Sequence, residues 1–352
     1  MINKVIFLRI IAIVCVLMLV FAPVTFGGNG KILLSKQFYY NSMPISLRLI
    51  VKDQEEGEKL STEVYEIITN YVFNYSYEGG SYLSNITYKS YRGFVECSDD
   101  LLKMIGITMN YYHLTKGAIS PTIGSLIDTW GFGVSPTLPR KEDILFSLNA
   151  SSPSKMVISE GRIRLKSKKT KFYLKPFAIG LALEKVKKLL TREGVKDAIV
   201  TVDKRYSLIM GKKFDDGWTI SIRNPLAVGI DDSIYTFTTK DKFISISSVD
   251  EDSFNVDFKN YFSILDPRSG YPPQNRVLSV AVVGKDGVES VALSRLLIVL
   301  GEIGGPKFAQ RNGVAALFVV SEGGKMNFIK TPKWVELIDR TSSDTQKKVK
   351  GK

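Results

Sequence analysis

Residues 117–133 read GAISPTIGSLIDTWGFG. Within it, Gly131 and Gly133 supply the backbone freedom for a tight turn, and Trp130 places a bulky indole directly beside that turn. A second punctuated stretch, ILDPRSGYP at residues 264–272, has the same character. Pro267 fixes φ, Asp266 can cap its own turn, and Gly270 tolerates positive φ. Both segments are turns held in one geometry, so the elements between and around them define the architecture.

Upstream, Ser46–Val51 alternates polar and apolar residues as a strand does. Glu55–Phe73 then predicts a helix, with Leu60, Val64, Ile67, Ile68 and Val72 on one face. A sharper helix begins with Ser98 as N-cap. Asp99 and Asp100 suit its positive end, Leu101, Leu102, Ile105 and Met109 form its stripe, and Lys116-Gly117 closes it. Downstream, a helix is predicted over Ala178–Arg192 with Gly194 as its stop, and another over Val288–Leu300 ending at Gly301. Ala198–Val202, Trp218–Ile222, Phe243–Ser247, Val277–Val283 and Ala315–Val320 read as strands. The class is α+β, richer in strands towards the middle, with no solenoid-period repeat.

The chain has 352 residues, 44% of them hydrophobic, enough for a substantial core in one domain or two intimately joined ones. Its net charge of +13 admits an anionic membrane, an anionic small ligand or nucleic acid as partner. The excess is spread along the chain, without zinc-finger spacing or an RNA-binding aromatic signature, so no nucleic-acid partner is expected. Lys4 and Arg9 precede the apolar run Ile10–Ala22, which Pro23 ends before Gly27 and Gly28. That pattern predicts a secretory signal peptide over 1–27; an uncleaved membrane anchor is the alternative. Either way the protein is expected to be exported, periplasmic or anchored on the outer side of the cytoplasmic membrane. Cys15 lacks the small preceding residue of a lipoprotein signal. Beyond the leader only Cys97 remains, which excludes an internal disulfide. The sole histidine, His113, sits beside a tyrosine pair late in a helix and points to no thiol chemistry. Residues 339–352 are polar and basic, and predict a disordered tail.

Taken together, Ser81-Tyr82-Leu83-Ser84, Gly117–Gly133 and Ile264–Pro272, in this order and with this spacing of helices and strands, resemble the FAD:protein FMN transferase family, or ApbE family. The resemblance covers residues 40–335. It implies an ApbE-like, T-fold-like domain over 28–338, with mixed or antiparallel sheets flanked by helices. It also implies an enzyme that binds FAD with magnesium at the diphosphate, and that moves FMN to a threonine or serine of a membrane redox protein. Such chemistry needs a metal on the phosphoryl oxygens and a base near the attacking hydroxyl.

Several positions depart from the family pattern. Its helix-start motif Asp-Leu-Gly-Gly-Ile-Ala-Lys-Gly-Tyr is matched by Tyr173–Leu181, which puts Tyr173 at the carboxylate, Lys175 and Pro176 at the glycine pair, and Ile179 at the lysine. Pro176 offers no N–H to a phosphate, so a core helix is the reading for this segment. A strand ending Asn-x-Gly-Gly-Asp is matched by Thr201–Arg205, where Asp203 reads as a turn residue. Ser120 stands for an aspartate and Ser263 for a histidine. The metal-binding aspartate and threonine, one helical turn apart, fall on Val291 and Arg295, and Glu289 and Ser294 are too far around the helix to replace them.

The resemblance therefore assigns Met43, Tyr77, Ala118, Ile119, Ser120 and Ile264 to a flavin slot, and no metal ligand. Arg295 reads in one of two ways. It is a fixed cation gripping diphosphate oxygens, or a surface arginine whose stem covers apolar helix. Three functions follow: FMN transfer with relocated ligands, a catalytically degenerate form that binds a flavin nucleotide or a protein partner without chemistry, and a scaffold with no ligand.

Overall fold

The computed structural model describes residues 24–25, 30–212, 217–227 and 232–339. The expected leader, apart from Val24–Thr25, and the expected tail, apart from its first residue, lie outside the described residues. Among the described residues no helix is long and apolar enough to cross a membrane.

Nine strands make one wholly antiparallel sheet. Their order is Val24–Thr25, Ile32–Tyr40, Met43–Val51, Ala198–Val202, Tyr206–Met210, Lys242–Ser248, Val277–Gly284, Ala315–Glu322 and Lys325–Lys330. The longer helices are α1 (Gln54–Asn74), α2 (Tyr82–Ser90), α3 (Asp99–Leu114), α4 (Gly124–Trp130), α5 (Lys141–Ala150), α6 (Lys175–Arg192) and α7 (Gly287–Arg311). Their starts follow the expected chemistry. Asp53 accepts from Glu56 N at 2.9 Å to cap α1, and Ser98 accepts from Leu101 N at 3.3 Å to cap α3.

The α1, α6 and α7 stripes pack with one sheet face into the main core, where Leu60, Val64, Ile68, Val186, Leu190, Leu296 and Leu297 meet. Where α6 crosses α7 the backbones touch: a Cβ on Gly180 would lie 2.5 Å from the Gly287 carbonyl oxygen. The opposite sheet face is covered by a separate hairpin, Trp218–Arg223 with Ser233–Thr239, and by Trp334. The strand predicted from Trp218 thus forms, but outside the main sheet. Burial on both faces explains why Tyr206–Met210 is an unbroken buried run.

Two helix boundaries differ from the sequence expectation. The third predicted helix starts at Lys175 rather than Ala178, because Pro176 falls in its first turn, where no N–H partner is needed. The helix expected to stop at Gly301 resumes and runs to Arg311. Gly301 adopts φ 73°, ψ −176°, and Asn275 Nδ2 donates to the Ile298 carbonyl at 2.8 Å, satisfying a backbone oxygen at the break.

Candidate functional site

The two glycine-punctuated segments meet in one corner. Trp130 is fully buried, Gly131 and Gly133 hold φ of 69° and 84°, and the indole Nε1 donates to the Gly270 carbonyl at 2.9 Å. Gly270 itself has φ 78°, and a side chain there would meet Ile144 at 2.7 Å. Asp266 accepts from Arg268 N and Arg268 Nε, both at 2.9 Å, so the turn caps itself. Phe132, Phe254, Tyr261 and Tyr271 pack around the indole.

The expected flavin positions are distributed as follows. Ala118, Ile119 and Ile264 are buried in the main core, and half-buried Met43 packs against it. Ser120 is buried, its hydroxyl 3.1 Å from that of Thr122 and accepting from Thr122 N at 3.3 Å. Tyr77 stacks on Tyr173, with centroids 6.4 Å apart and planes 16° off parallel. The Tyr77 hydroxyl is buried with no hydrogen-bond partner and presses on Gly124, where a Cβ would lie 1.7 Å from it. Burial first, then the charges of Asp128 and Tyr173, push its pKa well above the ordinary phenol value, so it stays neutral.

Tyr173 leads from that stack to α7. The Arg295 guanidinium carbon lies 5.9 Å from its ring centroid. Arg295 is only 5% exposed; its Nη1 donates to Glu251 Oε2 at 2.7 Å, while Nη2 is buried without a partner. Glu251 is held in turn: Oε1 accepts from Ser248 N at 3.2 Å, and its carbonyl accepts from Ser263 N at 3.0 Å and Ser263 Oγ at 3.2 Å. Burial opposes the charge on Arg295, but Glu251, with Tyr173 and Tyr206, more than restores it and raises the pKa above the ordinary guanidinium value. Arg205 lies next along, donating from Nη1 and Nη2 to the Asp250 carboxylate at 3.2 and 3.1 Å. Asp203 is the expected turn residue, at φ 54° with its carboxylate 3.5 Å from Arg205.

The reading of Arg295 as a surface residue is overturned. Residues 290–299 of α7, Arg295 among them, are all buried. Val291, one turn earlier, is 1% exposed and packs in the core. Magnesium requires several oxygens in tight octahedral geometry. Two methyl groups and a guanidinium do not fit it. Glu289 accepts from Tyr111 at 2.7 Å, whereas Ser294 faces the Ser245 and Ser247 hydroxyls at 2.8 and 2.9 Å, so the two diverge as their spacing requires. Tyr173–Leu181 opens a core helix, with Pro176 and Phe177–Leu181 all buried.

Sequence reasoning singled out Arg295 but missed Glu251, and saw in Tyr173 only a lost carboxylate. A signal existed. An arginine inside the apolar run VALSRLLIVL demands a buried acid, and Asp250-Glu251-Asp252 follows the Lys242–Ser248 strand.

The family model described as the ApbE family matches residues 43–318. The chain belongs to the ApbE family. It is similar to the FAD:protein FMN transferase of Klebsiella pneumoniae (strain 342), 24% identical over 290 residues that cover 81% of this chain and 90% of that protein. The enzyme of the same name from Vibrio cholerae serotype O1 is 28% identical over 210 residues, 59% of this chain and 63% of the relative. The solved flavin transferase ApbE from Vibrio cholerae superposes with a TM-score of 0.75 at 21% identity, covering 87% of this chain and 99% of that one. The apo flavinyl transferase ApbE of Pseudomonas stutzeri gives 0.76 at 23% identity, covering 87% and 97%. The expected α+β ApbE fold is the one these ApbE structures share with this chain.

Proposed function

We propose that this ApbE-family protein binds a flavin nucleotide at the inherited site through a fixed guanidinium, without magnesium-assisted transfer of FMN. The observation that carries this reading is the buried Arg295–Glu251 pair, whose arginine the resemblance sets at the place of a family metal ligand. One guanidinium nitrogen is neutralised by Glu251, and the other is buried with nothing to bond. A phosphate oxygen satisfies such a nitrogen with a charge-assisted bond. The Tyr77–Tyr173 stack and the buried Ala118, Ile119 and Ile264 are the apolar and aromatic residue types that suit an isoalloxazine. Phosphoryl transfer, however, depends on a cation that neutralises charge as the bond breaks and on a base for the hydroxyl. Ser120 and Ser263 cannot act as that base at neutral pH, and both are held in hydrogen bonds within the fold. The expected leader, Lys4 and Arg9 before the apolar run Ile10–Ala22, supports placing this protein outside the cytoplasmic membrane.

FMN transfer to a threonine or serine of a membrane redox protein is the second reading, favoured by the names of the relatives and by the intact Trp130–Gly270 corner. One experiment separates them. The full chain is incubated with FAD, magnesium and a threonine-containing acceptor peptide, then analysed by native and denaturing mass spectrometry. The proposal expects FAD retained on the folded chain and no FMN adduct on the peptide. Magnesium-dependent appearance of the adduct and of AMP establishes the transferase instead.

A further inference from the structure

Far from Arg295 in sequence, a small three-stranded sheet pairs Val95–Glu96 with Arg162–Leu165, and that strand with Met156–Ser159. The central strand alternates strictly. Ile163 and Leu165 are buried, while Arg162, Arg164 and Lys166 are exposed on the outer face. The adjoining end of α2 and its turn present three rings to solvent: Tyr88 at 61%, Tyr91 at 44% and Phe94 at 44%. Cations lie on two of these rings. The Arg92 guanidinium carbon is 4.3 Å from the Tyr88 centroid, and that of Arg162 is 5.8 Å from Phe94. Glu96 and Glu160 are the acids nearby, and Glu160 meets Arg162 at 2.7 Å. Lys89, near the end of α2, adds to the basic side, so the cations Lys89, Arg92, Arg162, Arg164 and Lys166 outnumber these two acids five to two.

We infer that this face docks on an anionic lipid surface. Exposed tyrosine and phenylalanine rings prefer the headgroup level of a bilayer, and lysine and arginine among them add electrostatic attraction to anionic lipid. A second copy of the chain is disfavoured as occupant, because a chain of net charge +13 would bring like charges face to face. A soluble polyanion matches the cations but gives the rings no apolar medium to enter.

The test places a reporter in the patch. The three native tryptophans, Trp130, Trp218 and Trp334, are 0–1% exposed and insensitive to external quenchers. Phe94→Trp in the full chain therefore gives one solvent-facing indole, and Tyr91→Trp is the second variant should the first fail to fold. On phosphatidylglycerol vesicles with brominated acyl chains, the added indole is expected to lose at least half its emission and to become shielded from acrylamide. Neither effect is expected on brominated phosphatidylcholine vesicles, and adding Arg164→Glu and Lys166→Glu should weaken the phosphatidylglycerol effect at least tenfold in lipid concentration. The apolar run Ile10–Ala22 is common to every variant, so a difference between variants reports the patch. An indole that stays open to acrylamide on phosphatidylglycerol, or quenching that survives charge reversal, overturns the inference. So does stronger shielding by polyglutamate or a DNA fragment than by the vesicles.

Discussion

The corner built on Trp130 and the cluster built on Arg295 lie on neighbouring segments of one fold, yet they relate to the family in opposite ways. In the corner, the residues that carry the resemblance also hold the fold: the glycines take positive φ and the tryptophan bonds to Gly270. In the cluster, Tyr173, Val291 and Arg295 stand at positions where the resemblance expects metal- and phosphate-binding residues, and all three are well packed. The difference teaches that in this chain the turn segments are held by their own packing, so they report the fold and do not by themselves report the chemistry.

The largest expected effect falls on the corner. Trp130→Ala removes a fully buried indole and its bond to Gly270, and should cost roughly 3–5 kcal/mol in denaturant unfolding. A cost under about 1 kcal/mol would show that the corner is not structural. Next comes the cluster: Glu251→Gln leaves Arg295 buried without a counter-charge and should cost about 3 kcal/mol. The double variant Glu251→Leu, Arg295→Met, which removes both charges, should recover to within about 1 kcal/mol of the parent. If the double variant is as unstable as the single one, the pair is not the self-contained unit described above.

The smallest effect lies in neither region. Asp100 accepts from Lys185 Nζ and Tyr71 Oη, both at 2.7 Å, tying α3 to α1 and α6. Burial opposes its ionisation, but those hydrogen bonds and the Lys185 charge outweigh it and hold the carboxyl below the usual aspartate range. A folded pKa below the unfolded one gives stability that is full above the unfolded value, about 3.9, and is lost as pH falls through the folded value. Asp100→Asn should therefore cost about 1 kcal/mol at pH 7 and progressively less below pH 4. An equal cost at pH 7 and pH 3 would refute the electrostatic origin.

The corner was legible in the sequence because its determinants are local: glycines and a proline whose backbone needs do not depend on distant residues. The capped helices were legible for the same reason. The strand Tyr206–Met210 was not, since a buried run of five residues shows neither a period of two nor the length that marked the equally buried Ala315–Glu322. In the cluster, the replaced positions could be read by register, but the Arg295–Glu251 pair could not, because 44 residues separate its members and only the packing of α7 on the sheet brings them together.

The central claim is that a guanidinium stands where the family uses a metal. Calorimetric titration of FAD into the full chain, with and without magnesium, tests it most directly. The predicted result is the same affinity in both conditions, together with a loss of roughly tenfold or more in the stable Glu251→Leu, Arg295→Met variant, which lacks the charge-assisted contact. FAD binding that tightens with magnesium in the parent, or that is unchanged in the double variant, would contradict the account.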